Sequence, residues 1–194
     1  MSALRRGFKT WCENAARGYR RELGLAPTAA LDPRGLARHL KIIVWSPREV
    51  PGLDPTDLHQ LTVTGRDEWS ALTIRDGDRS LIIMNDAHST ARQNNSLAHE
   101  LGHIVLRHEP TRMMTSEDGL MIMADYNPTH EEEAICFAGT ILVPREALLP
   151  LVSQGLSDPD IATYFQVSTD LARMRKNTTG VEFQLGRRRG VWSP

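Results

Sequence analysis

The sequence predicts an α+β protein in which a small, mostly antiparallel sheet packs against a central helix and further helices. Three short runs, at residues 41–45, 70–75 and 80–84, have the length and apolar character of strands. Apolar residues recur at helical spacing in much of the remaining chain. The composition of 40% hydrophobic and 24% charged residues in 194 is that of an ordinary globular protein.

Four stretches have the marks of helices. Residues 3–24 place apolar and basic side chains on opposite sides of a helix. Asp32 followed by Pro33 is a typical helix start, and a second helix is expected there. Residues 89–107 and 131–143 are predicted to be the long helices of the second half.

The connections between these elements are also partly predictable. Residues 76–78, Asp-Gly-Asp, indicate a tight hairpin between the second and third strands. Residues 48–60 are rich in Pro, Gly and Asp and are expected to form a loop. Residues 109–129 have no clear period and predict a mobile segment. We expect one domain over residues 1–145 and a helical appendage with a basic tail over 146–194, containing one or two helices.

Composition excludes several classes of protein. The longest apolar runs have four residues, whereas a membrane-spanning helix needs about 20. The first residues lack the apolar core of a signal peptide. Cys12 and Cys136 are far apart and outside any CxxC pattern, so a disulfide framework is not indicated. We therefore expect a cytoplasmic protein in a reducing compartment, with no membrane partner.

The most informative pattern is His99-Glu100-Leu-Gly-His103, within the predicted helix at 89–107. A spacing of four places both imidazoles on one helix face, where they can reach one metal ion. Glu100 lies beside that ion and is suited to accept a proton from a water that the ion activates. Gly102 indicates that another segment approaches this helix closely.

A catalytic zinc site usually has three protein ligands, so a third is needed from elsewhere. Glu131, Glu132 and Glu133 begin the helix predicted at 131–143. Helical periodicity aligns Glu133 and Glu131 with the apolar face and turns Glu132 away from it. We favour Glu133 as the ligand and leave Glu131 open.

Residues 96–106, Ser-Leu-Ala-His-Glu-Leu-Gly-His-Ile-Val-Leu, together with residues 131–144, Glu-Glu-Glu-Ala-Ile-Cys-Phe-Ala-Gly-Thr-Ile-Leu-Val-Pro, resemble the ImmA/IrrE family of metallopeptidases. The resemblance extends over about residues 30–145. One departure is Ile135, where the family often has Asn.

This resemblance implies a zincin-like fold, with Zn²⁺ held by His99, His103 and Glu133 and with Glu100 as the base. It further implies cytoplasmic cleavage of a helix-turn-helix transcriptional repressor. Such cleavage would derepress a mobile-element, stress-response or anti-phage defence operon.

Other residues have open roles. Tyr126, His130 and His108 are candidates to stabilise the oxyanion, although each is more simply an ordinary surface or core side chain. Cys136 lies on the predicted ligand helix and is a candidate for metal contact or oxidation, or simply a small buried residue.

Both ends of the chain are basic, with six Lys or Arg in the first 24 residues and six from Arg173 onward. A solvated surface explains this pattern, and so does contact with DNA phosphates. The alternative function is therefore a DNA-binding regulator with a structural zinc site. A third possibility is a peptidase that nucleic acid or another signal activates.

Overall fold

The computed structural model describes residues 4–109, 113–115, 121–123 and 127–188. Within these ranges the chain is mostly helical with a small sheet. The first half contains α1 (Phe8–Glu22), α2 (Pro33–His39), β1 (Ile43–Trp45), α3 (Pro55–His59), β2 (Ala71–Asp76), β3 (Arg79–Met84) and α4 (Thr90–Val105). The second half contains β4 (Met113–Thr115), β5 (Met121–Met123), α5 (Pro128–Leu142), α6 (Arg145–Ser153), α7 (Asp158–Phe165), α8 (Thr169–Thr179) and α9 (Val181–Arg188).

Local signals place several of these elements as the sequence predicts. The carboxylate of Asp32 accepts hydrogen bonds from the backbone N–H groups of Arg34 and Gly35 at 2.9 and 3.0 Å, which caps α2. Strands β2 and β3 form the predicted hairpin. Gly77 adopts φ 57° in its two-residue turn, a conformation that glycine adopts without strain.

The main sheet has the order β1-β3-β2 and is mixed. Strands β2 and β3 pair antiparallel over six residue pairs, as the hairpin predicts. Strand β1 pairs with β3 in parallel, from Ile43 with Leu81 to Trp45 with Ile83. The prediction of a small sheet is thus confirmed. The parallel pairing was not predicted, because it depends on the path of the chain between β1 and β2. Strand β2 is left as an edge strand.

The central helix is α4, which packs against α5, α2 and the sheet. One core cluster joins α1 and α2 to β3, α4 and α5. A second cluster joins Ala98 of α4 and Leu142 of α5 to helices α6–α9. Side chains on both sides of residue 145 therefore share a core, and the domain division at that residue stays a prediction.

The connections and the tail differ from the prediction in three places. Residues 47–64, predicted largely as a loop, contain a 3-10 turn (Pro47–Glu49), α3 and a π-helical turn (Gln60–Thr64). Asp54 caps α3 through the N–H of Thr56 at 2.7 Å, so the Asp-Pro pair starts a helix here. The tail has more helices than the one or two predicted. Within 109–129, strands β4 and β5 pair, and residues 110–112, 116–120 and 124–126 lie outside the described residues.

Among the described residues, no single helix is long and apolar enough to cross a membrane. Helices α5 and α6 reach that length and composition only as a pair bent by 52°.

Candidate metal centre

Helix α4 carries His99, Glu100 and His103 and begins directly after the sheet. Ser89 caps it by accepting a hydrogen bond from the backbone N–H of Arg92 at 3.4 Å. The helical period brings the two imidazoles together, with Nε2 of His99 3.0 Å from Nε2 of His103. The two histidines therefore lie on one face of the helix, as the sequence predicts.

Helices α4 and α5 meet at Gly102. A Cβ atom at this position would lie 3.2 Å from the Cα of Ala134 and 3.2 Å from a ring carbon of Phe137. The close approach that the sequence predicts is thus made by α5. This contact holds the first turn of α5 over the histidines.

The carboxylate that reaches the histidine pair is that of Glu131. Its Oε2 lies 3.2 Å from Nε2 of His99, and its Oε1 lies 3.5 Å from Nε2 of His103. One ligand atom from each of these three residues lies within 4.8 Å of the others, so the group could hold a metal ion. Each side chain keeps part of its surface exposed, so a substrate can approach.

Glu133, the residue that the sequence favours as third ligand, lies elsewhere. Its Oε2 is 3.1 Å from Nε2 of His108, and its Oε1 is 3.3 Å from Nε of Arg5. Two residues span about 200° around a helix, so Glu131 and Glu133 cannot face the same point. The structure therefore places Glu131, the alternative that the sequence left open, beside the histidines, and it turns Glu133 toward the interior.

His108 links these two groups. Arg107 has φ 56°, and the chain folds back so that the N–H of His108 donates to the carbonyl of His103 at 3.0 Å. Nδ1 of His108 then lies 3.1 Å from Nδ1 of His103. The buried His108 and Glu133 thus extend a chain of polar contacts inward from His103.

Burial keeps these histidines neutral. Burial, together with the nearby His99, His108 and Arg75, lowers the pKa of His103 to about 3. Burial also lowers the pKa of His108, although its hydrogen bond with Glu133 opposes that shift. A neutral imidazole has the free nitrogen lone pair that a metal ligand requires.

Glu100 is held by the edge strand. The hydroxyl of Thr73 in β2 donates a short hydrogen bond to Oε2 of Glu100. Two residues along the strand, Nη1 of Arg75 donates to the carbonyl of His108 at 2.7 Å. The Nε of Arg75 is buried and has no hydrogen-bond partner among the described residues.

Thr73 and Arg75 were not predicted as site residues, although the alternation of polar and apolar residues along β2 could have indicated them. Ala71, Thr73 and Arg75 occupy alternate positions and are half-buried, whereas Leu72 and Ile74 between them are exposed. This strand turns its polar residues inward because they face the candidate site rather than an apolar core.

A groove of about 550 Å³ runs along β2 past His99, Glu100, His103 and Glu131. Beside it lies a cavity of about 350 Å³, which opens next to His99 and Glu100. Its walls include apolar side chains of α5 and α8: Ile135, Ala138, Leu142 and Leu171. Ile135, the departure from the family pattern, is thus an exposed cavity residue.

The candidate oxyanion residues divide three ways. Tyr126 lies outside the described residues. His108 is buried behind His103, and its two ring nitrogens face His103 and Glu133. His130 stacks on His108 with ring centroids 4.2 Å apart. His130 remains a candidate, and Arg75 joins it because it lines the groove.

Several basic side chains near the ends, the candidates for phosphate contact, pair with acids of this same chain. These ion pairs are Arg5 with Glu133, Arg17 with Glu146, Arg173 with Asp158, Arg175 with Glu13, and Lys176 with Asp158. Arg20 is buried and donates to backbone carbonyls. These side chains therefore have partners within the chain, and contact of the basic ends with DNA stays a prediction.

Two histidines one helical turn apart, a carboxylate as the third member of the cluster and an adjacent glutamate form the arrangement of a metal-dependent hydrolase. The chain belongs to the M78 peptidase family: the family model described as the IrrE N-terminal-like domain matches residues 55–177, more than half of the sequence. The resemblance to ImmA/IrrE metallopeptidases is therefore confirmed. No curated protein matches the chain.

Proposed function

We propose that this protein is a zincin-like zinc endopeptidase that cleaves a helix-turn-helix transcriptional repressor in the cytoplasm. The observation that carries the peptidase part is the His99, His103 and Glu131 cluster with Glu100 beside it at the edge of the sheet. Zinc, the ligand set, the substrate and the compartment are parts of the proposal.

The donor set suits zinc. Two imidazole nitrogens and one carboxylate oxygen, with a further position for water, are typical of catalytic zinc sites. The nitrogens of two imidazoles bound to one tetrahedral zinc are about 3.3 Å apart, and those of His99 and His103 are 3.0 Å apart. A zinc ion bound here supplies Lewis acidity, which activates water and polarises the scissile carbonyl.

The chain's own residues then divide the work. Glu100 takes a proton from the attacking water and passes it to the leaving amine. Thr73 holds Oε2 of Glu100 in place, so the carboxylate needs little reorganisation. Glu133 orients the ring of His108 through a hydrogen bond, and His108 in turn orients the ring of His103. Arg75 places positive charge in the groove, where it can offset the charge of the oxyanion.

The shape of the site supports an extended peptide as substrate. Strand β2 is an edge strand beside Glu100, and an extended segment can add to such an edge through main-chain hydrogen bonds. The cavity lined by Ile135 and Leu171 then accepts one apolar side chain of that segment. This favours cleavage next to an apolar residue.

The repressor as substrate rests on the family to which the chain belongs. The alternative, a DNA-binding regulator with a structural zinc site, gains no support from the paired basic side chains. A purely structural zinc site would also not require a glutamate such as Glu100 beside the cluster.

The substrate is tested by incubating the zinc-loaded protein with the helix-turn-helix protein encoded beside it. We expect cleavage at one position adjacent to an apolar residue, read by mass spectrometry of the fragments. A chelator should stop the reaction, and added zinc should restore it. If the repressor stayed intact while an unrelated peptide was cleaved, the proposed substrate would be wrong and the proposed peptidase activity would still hold.

The role of Thr73 is tested by Thr73→Val. Hydrogen bonds to charged groups contribute about 1.5–3 kcal/mol, so loss of this one should lower kcat roughly 10- to 100-fold. Thr73→Ser keeps the hydroxyl and should retain most of the rate. Both variants should bind zinc as the unmodified protein does. Equal rates for the Val and Ser variants would show that the hydroxyl does not position Glu100.

A further inference from the structure

The two cysteines of the sequence are neighbours in the fold. Cys12 lies in α1 and Cys136 in α5, and both belong to the core cluster in which these two helices pack together. Each thiol is close enough to shift the pKa of the other. The adjacent residues also meet across this interface, since the rings of Trp11 and Phe137 have centroids 6.1 Å apart. Both cysteines are free thiols.

The two thiols differ in access. Cys12 is fully buried in the core shared by α1 and α5. Cys136 is partly exposed and lines a cavity of about 380 Å³, which is separate from the candidate metal centre. A small reagent that enters this cavity meets Cys136 first.

The surroundings of Cys136 favour its thiolate form. The contact with Cys12, together with the positive charges of Arg175 and Lys9, lowers the pKa of Cys136 to about 7, although burial opposes the shift. The same contact and burial raise the pKa of Cys12. Arg175 is buried and held by Glu13 at 2.6 Å, so its charge is fixed beside the pair.

We propose that Cys136 and Cys12 are a peroxide-reactive pair, in which Cys136 is the attacking thiol and Cys12 the resolving thiol. The Cys136 thiolate attacks one oxygen of hydrogen peroxide, the O–O bond breaks, and the departing hydroxide takes up a proton to become water. The sulfur of Cys12 then attacks the sulfenic acid on Cys136, the S–O bond breaks, and a second water leaves with the Cys12 proton. The two thiols lose two electrons, and the peroxide is reduced to two waters.

The product is an intramolecular disulfide between α1 and α5. Because α1 and α5 already pack together around both cysteines, this disulfide would link two helices that are neighbours in the reduced protein. This inference does not depend on the proposed peptidase activity.

The test treats the full chain with hydrogen peroxide, blocks remaining thiols with iodoacetamide, and examines it by mass spectrometry without reduction. We expect a monomer that is about 2 Da lighter, carries no alkyl group and yields one linked peptide pair containing Cys12 and Cys136. Dithiothreitol should reverse the change. The oxidised protein should melt several degrees higher, because the crosslink closes a loop of more than 100 residues.

Single variants separate the two roles. In Cys12→Ser the resolving thiol is missing, so Cys136 should accumulate as sulfenic and then sulfinic acid, about 16 and 32 Da heavier. Cys12→Ala also removes the contact that favours the Cys136 thiolate, so the same oxidation should proceed more slowly than in Cys12→Ser. In Cys136→Ser the buried Cys12 should remain a thiol after the same treatment. Unmodified thiols in the treated wild-type chain, or sulfinic acid on Cys136 with Cys12 still reduced, would overturn the proposal.

Discussion

Replacing Glu100 by Gln is expected to lower the rate of peptide cleavage by about 10²- to 10⁴-fold, the usual contribution of a general base. The amide keeps an oxygen that can accept the hydrogen bond from Thr73, but it cannot take a proton from water. The loss should fall on kcat and kcat/KM together, with zinc content unchanged. Single-turnover cleavage of the repressor at matched zinc loading measures it.

Glu22→Gln is the matched control, since Glu22 is a surface carboxylate of α1 that pairs with His39 at 2.9 Å. It should cleave the repressor at the rate of the unmodified protein. Full activity of the Glu100→Gln variant would exclude Glu100 as the general base and contradict the proposed mechanism of peptide hydrolysis.

Zinc affinity should distinguish the three glutamates at the start of α5. Glu131→Gln removes the carboxylate that lies 3.2 Å from His99 and 3.5 Å from His103. Glu133→Gln alters a residue that acts through His108, and such outer partners typically change metal affinity by about 10- to 100-fold. We expect the Glu131 variant to lose more affinity than this range, measured by competition with a zinc-binding dye.

Glu132→Gln makes the same chemical change between these two positions. Glu132 lines the separate cavity beside Cys136, and its variant should bind zinc normally. If Glu133→Gln abolished zinc binding while Glu131→Gln retained it, the third ligand would be Glu133, and α5 would have to rotate on metal binding.

The parts of the site that were predicted depend on local periodicity alone. A spacing of four residues places His99 and His103 on one helix face in any α-helix. Glu100 is the next residue after His99, so it lies beside that pair in any such helix. The hairpin at Gly77 is equally local, because its two-residue turn requires a positive φ. These features needed no knowledge of how the helices pack.

Periodicity favoured Glu133 as the third ligand, whereas the structure brings the carboxylate of Glu131 to the histidines, and the reason for this difference is packing. Which of the two binds a metal ion stays a prediction. Apolar periodicity shows which face of α5 is buried, but not which point on that face meets α4. That point is set by the contact of Gly102 with Ala134 and Phe137. Glu133 follows the apolar face into the interior, whereas Glu131 lies at its edge, where the histidines are.

Other contacts of the site also depend on the tertiary structure. Thr73 and His108 approach α4 from a strand and from a reversing turn, and no spacing in the sequence relates them to Glu100 or His103. Cys12 and Cys136 looked unrelated because their contact depends on α1 lying along α5.

The sequence by itself therefore determined the composition of the site: a histidine pair, a neighbouring glutamate and a supply of carboxylates in a peptidase family. Only the tertiary structure decided which carboxylate lies beside the histidines, which residues contact Glu100 and His103, and which helices bring the two cysteines together. The physical reason is that a helix or strand orients its own side chains through backbone geometry, whereas the rotation of one element against another follows from close packing between distant segments.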